Sequence, residues 1–350
     1  MTRSDLAALR PRLAIAAIAF VVWTAFAAWH AHVKPADFYV FWAAARHWQT
    51  PYDPAIITQL EASLHIAGAW PFVYPPTFLL FSWPFGLMPL PVAYPLWTGL
   101  TSAMFFFAAS FMVRPVWATL ALFILPPVVL AIAPGQTSLL VGAAAIGGFQ
   151  LMRTRPALAG ALFAIAACIK PQAMILAPIV LWGEWRVVRS AIVAGLAMIL
   201  ASFVFGPGLW PQWLHAIGDF RAVVPATERV NPSAIFASPL WTVALAALGV
   251  WLAWSNRNLL GLVGGALCLT PYAHQYDLAA LTPLALMWLI DRRTLGWGHA
   301  VAGATLLAGA IGTPPIALAF LLALAVFSSP WWPYRGRAAT GAAPSMLYEA

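Results

Sequence analysis

Apolar runs occupy residues 13–31, 89–113, 116–133, 137–152, 156–169, 172–185, 190–206, 239–254, 259–272, 277–290, 297–312 and 315–328. Several fall short of the ~20 residues of a full span. Short and broken helices are tolerated where they are buried in a bundle or line a cavity. Counting each run as one crossing predicts an all-α polytopic membrane protein with about twelve transmembrane helices. Residues 1–334 then form one transmembrane domain with two long outer loops, 31–75 and 207–238, and residues 335–350 form a disordered cytoplasmic tail.

The polar breaks carry the orientation. With the N-terminus in the cytoplasm, Arg3, Arg10, Arg12, Arg114, Arg153, Arg155, Arg186, Arg189, Arg257, Arg292, Arg293, Arg335 and Arg337 all fall inside. Lys34, Arg46, Lys170, Arg221 and Arg229 fall outside. That asymmetry follows the positive-inside rule and places both ends of the chain in the cytoplasm. Residues 76–88 fit no crossing, because counting them as one would invert every later loop. They are expected to form a juxtamembrane or re-entrant helix on the outer face, rich in interfacial aromatics.

Composition agrees. The chain is 63% hydrophobic and 8% charged, too apolar for a soluble domain. Its formal charge of +8 comes as small basic groups between apolar runs, so it indicates membrane orientation and no nucleic-acid partner. Residues 13–29 follow three arginines in the manner of a signal peptide, but the runs downstream favour an uncleaved first helix. Cys168 and Cys268 lie in apolar runs and are expected to pack, with no disulfide or metal indicated. His30 and His32 are expected at the interface, since two ligands alone make no zinc site.

Six sites couple polar side chains to a break in the apolar pattern, and charge parity puts them all on the outer face. Asp37 opens a segment, 37–46, that reads as an amphipathic helix entered from Pro35. Its carboxylate is placed either to take a proton from a hydroxyl nucleophile or to cap the helix. Asp53, in Tyr52-Asp53-Pro54, reads as a turn residue. Tyr74-Pro75-Pro76 is the second site. Gly135-Gln136 is the third, where Gln136 either binds a sugar hydroxyl or caps the next helix. Lys170-Pro171-Gln172 interrupts an apolar stretch where a bare ammonium is costly, which marks Lys170 as a phosphate contact or a snorkelling anchor. In the loop 207–238, Arg221 is either a bidentate phosphate contact or a salt-bridge partner of Asp219 or Glu228. His274-Gln275-Tyr276-Asp277 places four polar side chains at one helix start, more than capping requires.

Taken in order, these residues resemble glycosyltransferase family 87, integral-membrane enzymes of the GT-C class. The resemblance is carried by Asp37 and Tyr39, Tyr52-Asp53-Pro54, Tyr74-Pro75-Pro76, Leu90-Pro91 and Trp97. Gly135-Gln136, Ile169-Lys170-Pro171-Gln172 and His274 with Tyr276-Asp277-Leu278 continue it, over roughly residues 35–290. Gln49-Thr50-Pro51 departs from the family pattern, where a glycine is usual. The resemblance implies a GT-C-like helical bundle in a bacterial inner membrane with its site on the periplasmic side. It implies transfer of a hexose, typically mannose, with inversion, from a polyprenyl-phosphate donor to a lipid or glycan acceptor. Asp37 would be the general base. Lys170, Arg221 and His274 would hold the phosphate, and Tyr74, Gln136, Gln172, Tyr276 and Asp277 would orient the sugar or acceptor. No metal or other cofactor is implied. From the residues alone, a secondary transporter or a non-catalytic scaffold stays open, although transporter sites lie near the midplane and often between internal repeats.

Overall fold

The computed structural model describes residues 3–30, 36–64, 71–113, 115–223, 239–270, 274–291 and 296–309. These residues are helical, with no strand among them. Among the described residues, three helices are long and apolar enough to cross a membrane: Leu9–His30, Leu90–Met112 and Trp185–Phe205. The expected count of about twelve crossings rests for the rest on shorter pieces. Ser138–Leu151 and Pro156–Ile169 have 14 residues each, about 21 Å of helix against a hydrocarbon core of ~30 Å.

Proline explains where the runs break. The run 116–133 is divided into Val116–Ala121, a 3-10 turn Leu122–Ile124 and Pro126–Ile132, because Pro126 and Pro127 lack amide donors and their rings exclude a continuing helix. Leu125, before them, turns extended at ψ 131. The run 172–185 is likewise a 3-10 turn, Pro171–Met174, followed by the short helix Ala177–Val180. The apolar run 315–328 and the tail 335–350 lie outside the described residues.

The outer surface of the bundle is apolar. Val21 and Trp29 on the first helix and Val193 and Leu200 on Trp185–Ser202 are exposed, a belt that water would not tolerate but hydrocarbon does. Inside, Ser138–Leu151 is buried along most of its length and apolar all round, as a helix enclosed by its neighbours must be. Small residues permit close crossings. Gly160 lies against the backbone of Val187, where an added Cβ would meet its carbonyl oxygen at 2.5 Å.

The segment 31–75, expected as an outer loop, contains the helices Ala36–Arg46 and Pro54–Leu64. Ala36–Arg46 forms the helix expected over 37–46, and most of its residues are buried. Phe38, Tyr39, Val40, Phe41 and Ala43 to Ala45 are all buried. One side meets Tyr94 and Trp97, whose ring centroids lie 5.6 and 6.0 Å from Phe38. Another side is covered by residues 76–86, with Phe41 edge-on to Phe78 at 5.2 Å. That covering piece is a 3-10 turn, Pro76–Phe78, and an eight-residue helix, Leu79–Gly86, about 12 Å long and far short of a span. Gly86 abuts Ala45, where a Cβ would meet the backbone carbon at 2.6 Å.

The turn before Ser138–Leu151 fixes the position of Ala36–Arg46. Phe38 N–H donates to the Pro134 carbonyl at 3.0 Å. The Tyr94 hydroxyl donates to the Ala133 carbonyl at 2.7 Å and the Trp97 indole to the Gly135 carbonyl at 2.8 Å. Gly135 adopts φ 74, and a Cβ on it would meet Phe38 Cβ at 2.8 Å. Gly183 also has positive φ, 92, but faces open space. We expect Gly135→Ala to lower the thermal midpoint of the purified protein, costing the ~1–2 kcal/mol of left-handed backbone plus the collision. Gly183→Ala should cost less, and only Gly135→Ala should accelerate amide exchange in residues 36–46.

Candidate functional site

Lys170 is placed by the end of a helix. Pro171 cannot extend Pro156–Ile169, so Lys170 leaves helical geometry at φ −140, ψ 79. Only 8% of the residue is exposed, and a cation so buried requires a partner. The partner is Asp277, whose Oδ1 lies 2.5 Å from Lys170 Nζ. The same oxygen accepts the Ser138 hydroxyl at 2.7 Å. The second oxygen, Oδ2, accepts the His274 backbone N–H at 3.1 Å, while Asp277 N–H donates to the His274 carbonyl at 2.9 Å. This exchange initiates the 3-10 segment Gln275–Leu281. Three chain segments thus converge on one carboxylate.

Two rings flank the pair. Lys170 Nζ lies 5.3 Å from the centroid of Tyr276, within cation–π range. The His274 imidazole stacks on Tyr276, centroids 4.7 Å apart. Burial pushes the imidazole down to about 4, so near neutral pH it is an uncharged ring able to donate one N–H.

Asp37, at the start of Ala36–Arg46, faces this group. Its carboxylate hydrogen-bonds the Gln136 side chain and lies in the field of both Lys170 and Asp277. Burial outweighs the Gln136 and Lys170 contributions, so Asp37 holds its proton more tightly than an ordinary aspartate. Gln136 is 3% exposed. Its Oε1 accepts from Thr137 N–H at 3.3 Å and, more weakly, from the Tyr74 hydroxyl at 3.5 Å. The Tyr74 hydroxyl also pairs with the Thr137 hydroxyl at 3.1 Å, and the Tyr74 carbonyl accepts from Tyr52 at 2.8 Å.

The structure therefore gathers Asp37, Tyr74, Gln136, Lys170, His274, Tyr276 and Asp277. Gln172 joins them by lining a narrow cleft with Ser138, Lys170, Thr270 and Asp277. Arg221 belongs to the helix Leu209–Val223, but its side chain lies outside the described residues, as does Glu228. That helix is tied to the site by Trp213, whose indole donates to the Val73 carbonyl at 3.0 Å. Asp53 accepts from Ala55 N–H at 2.9 Å and is exposed, in keeping with a turn. Ser138 and Thr137 went unnoticed in the sequence. The available signal was two adjacent hydroxyl residues at a helix start following Gly135-Gln136.

Chemically, this is a carboxylate able to accept a proton, beside a fixed ion pair, a neutral imidazole and aromatic and amide groups suited to a polyol. Removing one member of the ion pair strands a buried charge. We expect Lys170→Met or Asp277→Asn alone to destabilise by about 3–5 kcal/mol. The double variant should lose clearly less than the sum, read as thermal midpoints in one detergent or nanodisc preparation.

No curated protein and no solved structure matches the chain. The family model of glycosyltransferase family 87 does, over residues 72–282. That interval includes Tyr74, Gln136, Ser138, Lys170, His274 and Asp277, and leaves Asp37 to be joined to it by its contact with Gln136. With more than half its length matched and an apolar helical bundle around the matched residues, the chain belongs to glycosyltransferase family 87, as a membrane glycosyltransferase.

Proposed function

We propose that this protein transfers a hexose, mannose by the family resemblance, from a polyprenyl-phosphate donor to a hydroxyl of a lipid or glycan acceptor. The reaction takes place on the non-cytoplasmic face of the bacterial inner membrane, with both chain ends in the cytoplasm. The observation that carries this reading is the placement of Asp37 against Gln136, within the field of the Lys170–Asp277 pair.

In the proposed reaction Asp37 takes the proton of the acceptor hydroxyl. The acceptor oxygen bonds to the anomeric carbon from the side opposite the phosphate, and the bond from that carbon to the phosphate oxygen breaks. The electron pair leaves with the polyprenyl phosphate, so the anomeric centre inverts. Stabilising the departing charge needs donors already oriented for it. Lys170 and His274 supply an ammonium and an imidazole N–H, and the family resemblance assigns Arg221, in the helix Leu209–Val223, to the same phosphate. Because Asp277 already neutralises Lys170, Lys170 serves the phosphate by sharing its three N–H donors between the two anions. Gln136, committed to Asp37, orients the base in this scheme, while Tyr74, Gln172, Tyr276 and Asp277 border the sugar.

Asp37→Asn, nearly isosteric, should reduce transfer from a labelled polyprenyl-phosphate hexose about 10²–10⁴-fold while the protein purifies with an unchanged thermal midpoint. Transfer at the wild-type rate would remove Asp37 from the mechanism. The pH profile gives a separate check. A base must be deprotonated, and burial raises the affinity of Asp37 for its proton. The wild-type rate should therefore fall on acidification with a midpoint above the ~3.9 of a free aspartate. Gln136→Leu removes a bond to the charged form and should move that midpoint higher.

A further inference from the structure

The narrow cleft lined by the Lys170–Asp277 pair is also lined by a hydroxyl without a partner among the described residues. Thr270 follows the helix Gly265–Leu269 and is 5% exposed. Its Oγ1 is buried and has no hydrogen-bond partner among the described residues. It lines the same cleft as Ser138, Lys170, Gln172 and Asp277. A buried hydroxyl without a partner is costly, and such groups are normally satisfied by protein or by bound molecules. A molecule entering the cleft would supply one.

The lining indicates the chemistry. The lining is largely apolar, with Val141, Val263 and Ala280 among it, and includes a carboxylate, an amide, an ammonium and two hydroxyls. The Asp277 carboxylate in this lining suits hydroxyl donors. The space is narrow, with room for about two water-sized groups. An edge of a sugar ring, with alternating C–H and O–H groups, matches both the size and the mixed polar and apolar lining.

We propose that Thr270 is a specificity residue whose hydroxyl hydrogen-bonds a sugar hydroxyl reaching into this cleft. The inference rests on the transferase reading above and adds to it the residue that reads one edge of the sugar. The sugar belongs either to the donor or to the acceptor, and the two are separated by which KM responds.

The test compares Thr270→Val, which keeps the shape and removes the hydroxyl, with Thr270→Ser, which keeps the hydroxyl. Transfer is measured from polyprenyl-phosphate mannose to extracted membrane lipids with each substrate varied in turn. Thr270→Val should raise KM by about tenfold or more, the loss of one buried hydrogen bond, while Thr270→Ser stays near wild type. A rise in the donor's KM places the donor hexose in the cleft, and a rise in the acceptor's KM places the acceptor's polyol there. The thermal midpoint of the substrate-free Val variant should be unchanged or higher, since an unsatisfied buried hydroxyl has been removed. Should Thr270→Val fail to fold, Thr270→Ala supplies the same KM comparison. Wild-type KM values in a folded variant lacking the hydroxyl would overturn the proposal alone. A wild-type protein that transfers no hexose would overturn the transferase reading, and this inference with it.

Discussion

The ion pair between Lys170 and Asp277 is the interaction on which the arrangement of the site depends. Two opposite charges 2.5 Å apart inside an apolar bundle are stable only together, because desolvating either alone costs several kcal/mol. Their closeness constrains the chain far beyond the two side chains. It fixes the end of Pro156–Ile169 against the start of Gln275–Leu281, and the Ser138 bond adds the first turn of Ser138–Leu151. A burial penalty, normally a cost to folding, here sets the geometry of three helix breaks at once.

Asp37 reaches the same place by a different physical route. Among the described residues it makes no ion pair; its helix is positioned by backbone and aromatic packing. Phe38 bonds the Pro134 carbonyl, and Gly135 leaves room for that approach through a conformation other residues adopt at a cost. In the proposed mechanism the acid that changes protonation is thus held by packing and backbone bonds, and the paired charges are held by each other. Gln136 connects the two systems, being next to Gly135 in the chain and bonded to Asp37 in space.

Much of this was legible in the chain because a polar residue beside a proline or glycine is a local signal. The helix beginning near Asp37, the short helix within 76–88 and the polar breaks at Lys170 and 274–277 all follow from such signals. Partners separated by long stretches of chain did not. Lys170 and Asp277 are 107 residues apart and Ser138 and Asp277 are 139 apart, and no spacing rule connects them. Lys170 therefore read as a bare cation when it is a paired one. The burial of Ala36–Arg46 was hidden for a related reason. That segment read as an amphipathic helix, and the cover formed by residues 76–86 is a tertiary fact that its own sequence does not contain. Thr270 was overlooked because one threonine among apolar residues is unremarkable until its hydroxyl is found without a partner beside the site.

The central claim is that the group around Asp37 and the Lys170–Asp277 pair is where a lipid-linked sugar reacts. A cryo-EM structure of the protein in nanodiscs with a non-transferable polyprenyl-phosphate hexose analogue tests it most directly. The account predicts the anomeric carbon between Asp37 and the ion pair, with the phosphate within hydrogen-bond reach of Lys170 or His274. A hexose bound at the opposite face of the bundle, with Asp37 and Lys170 untouched, would contradict it.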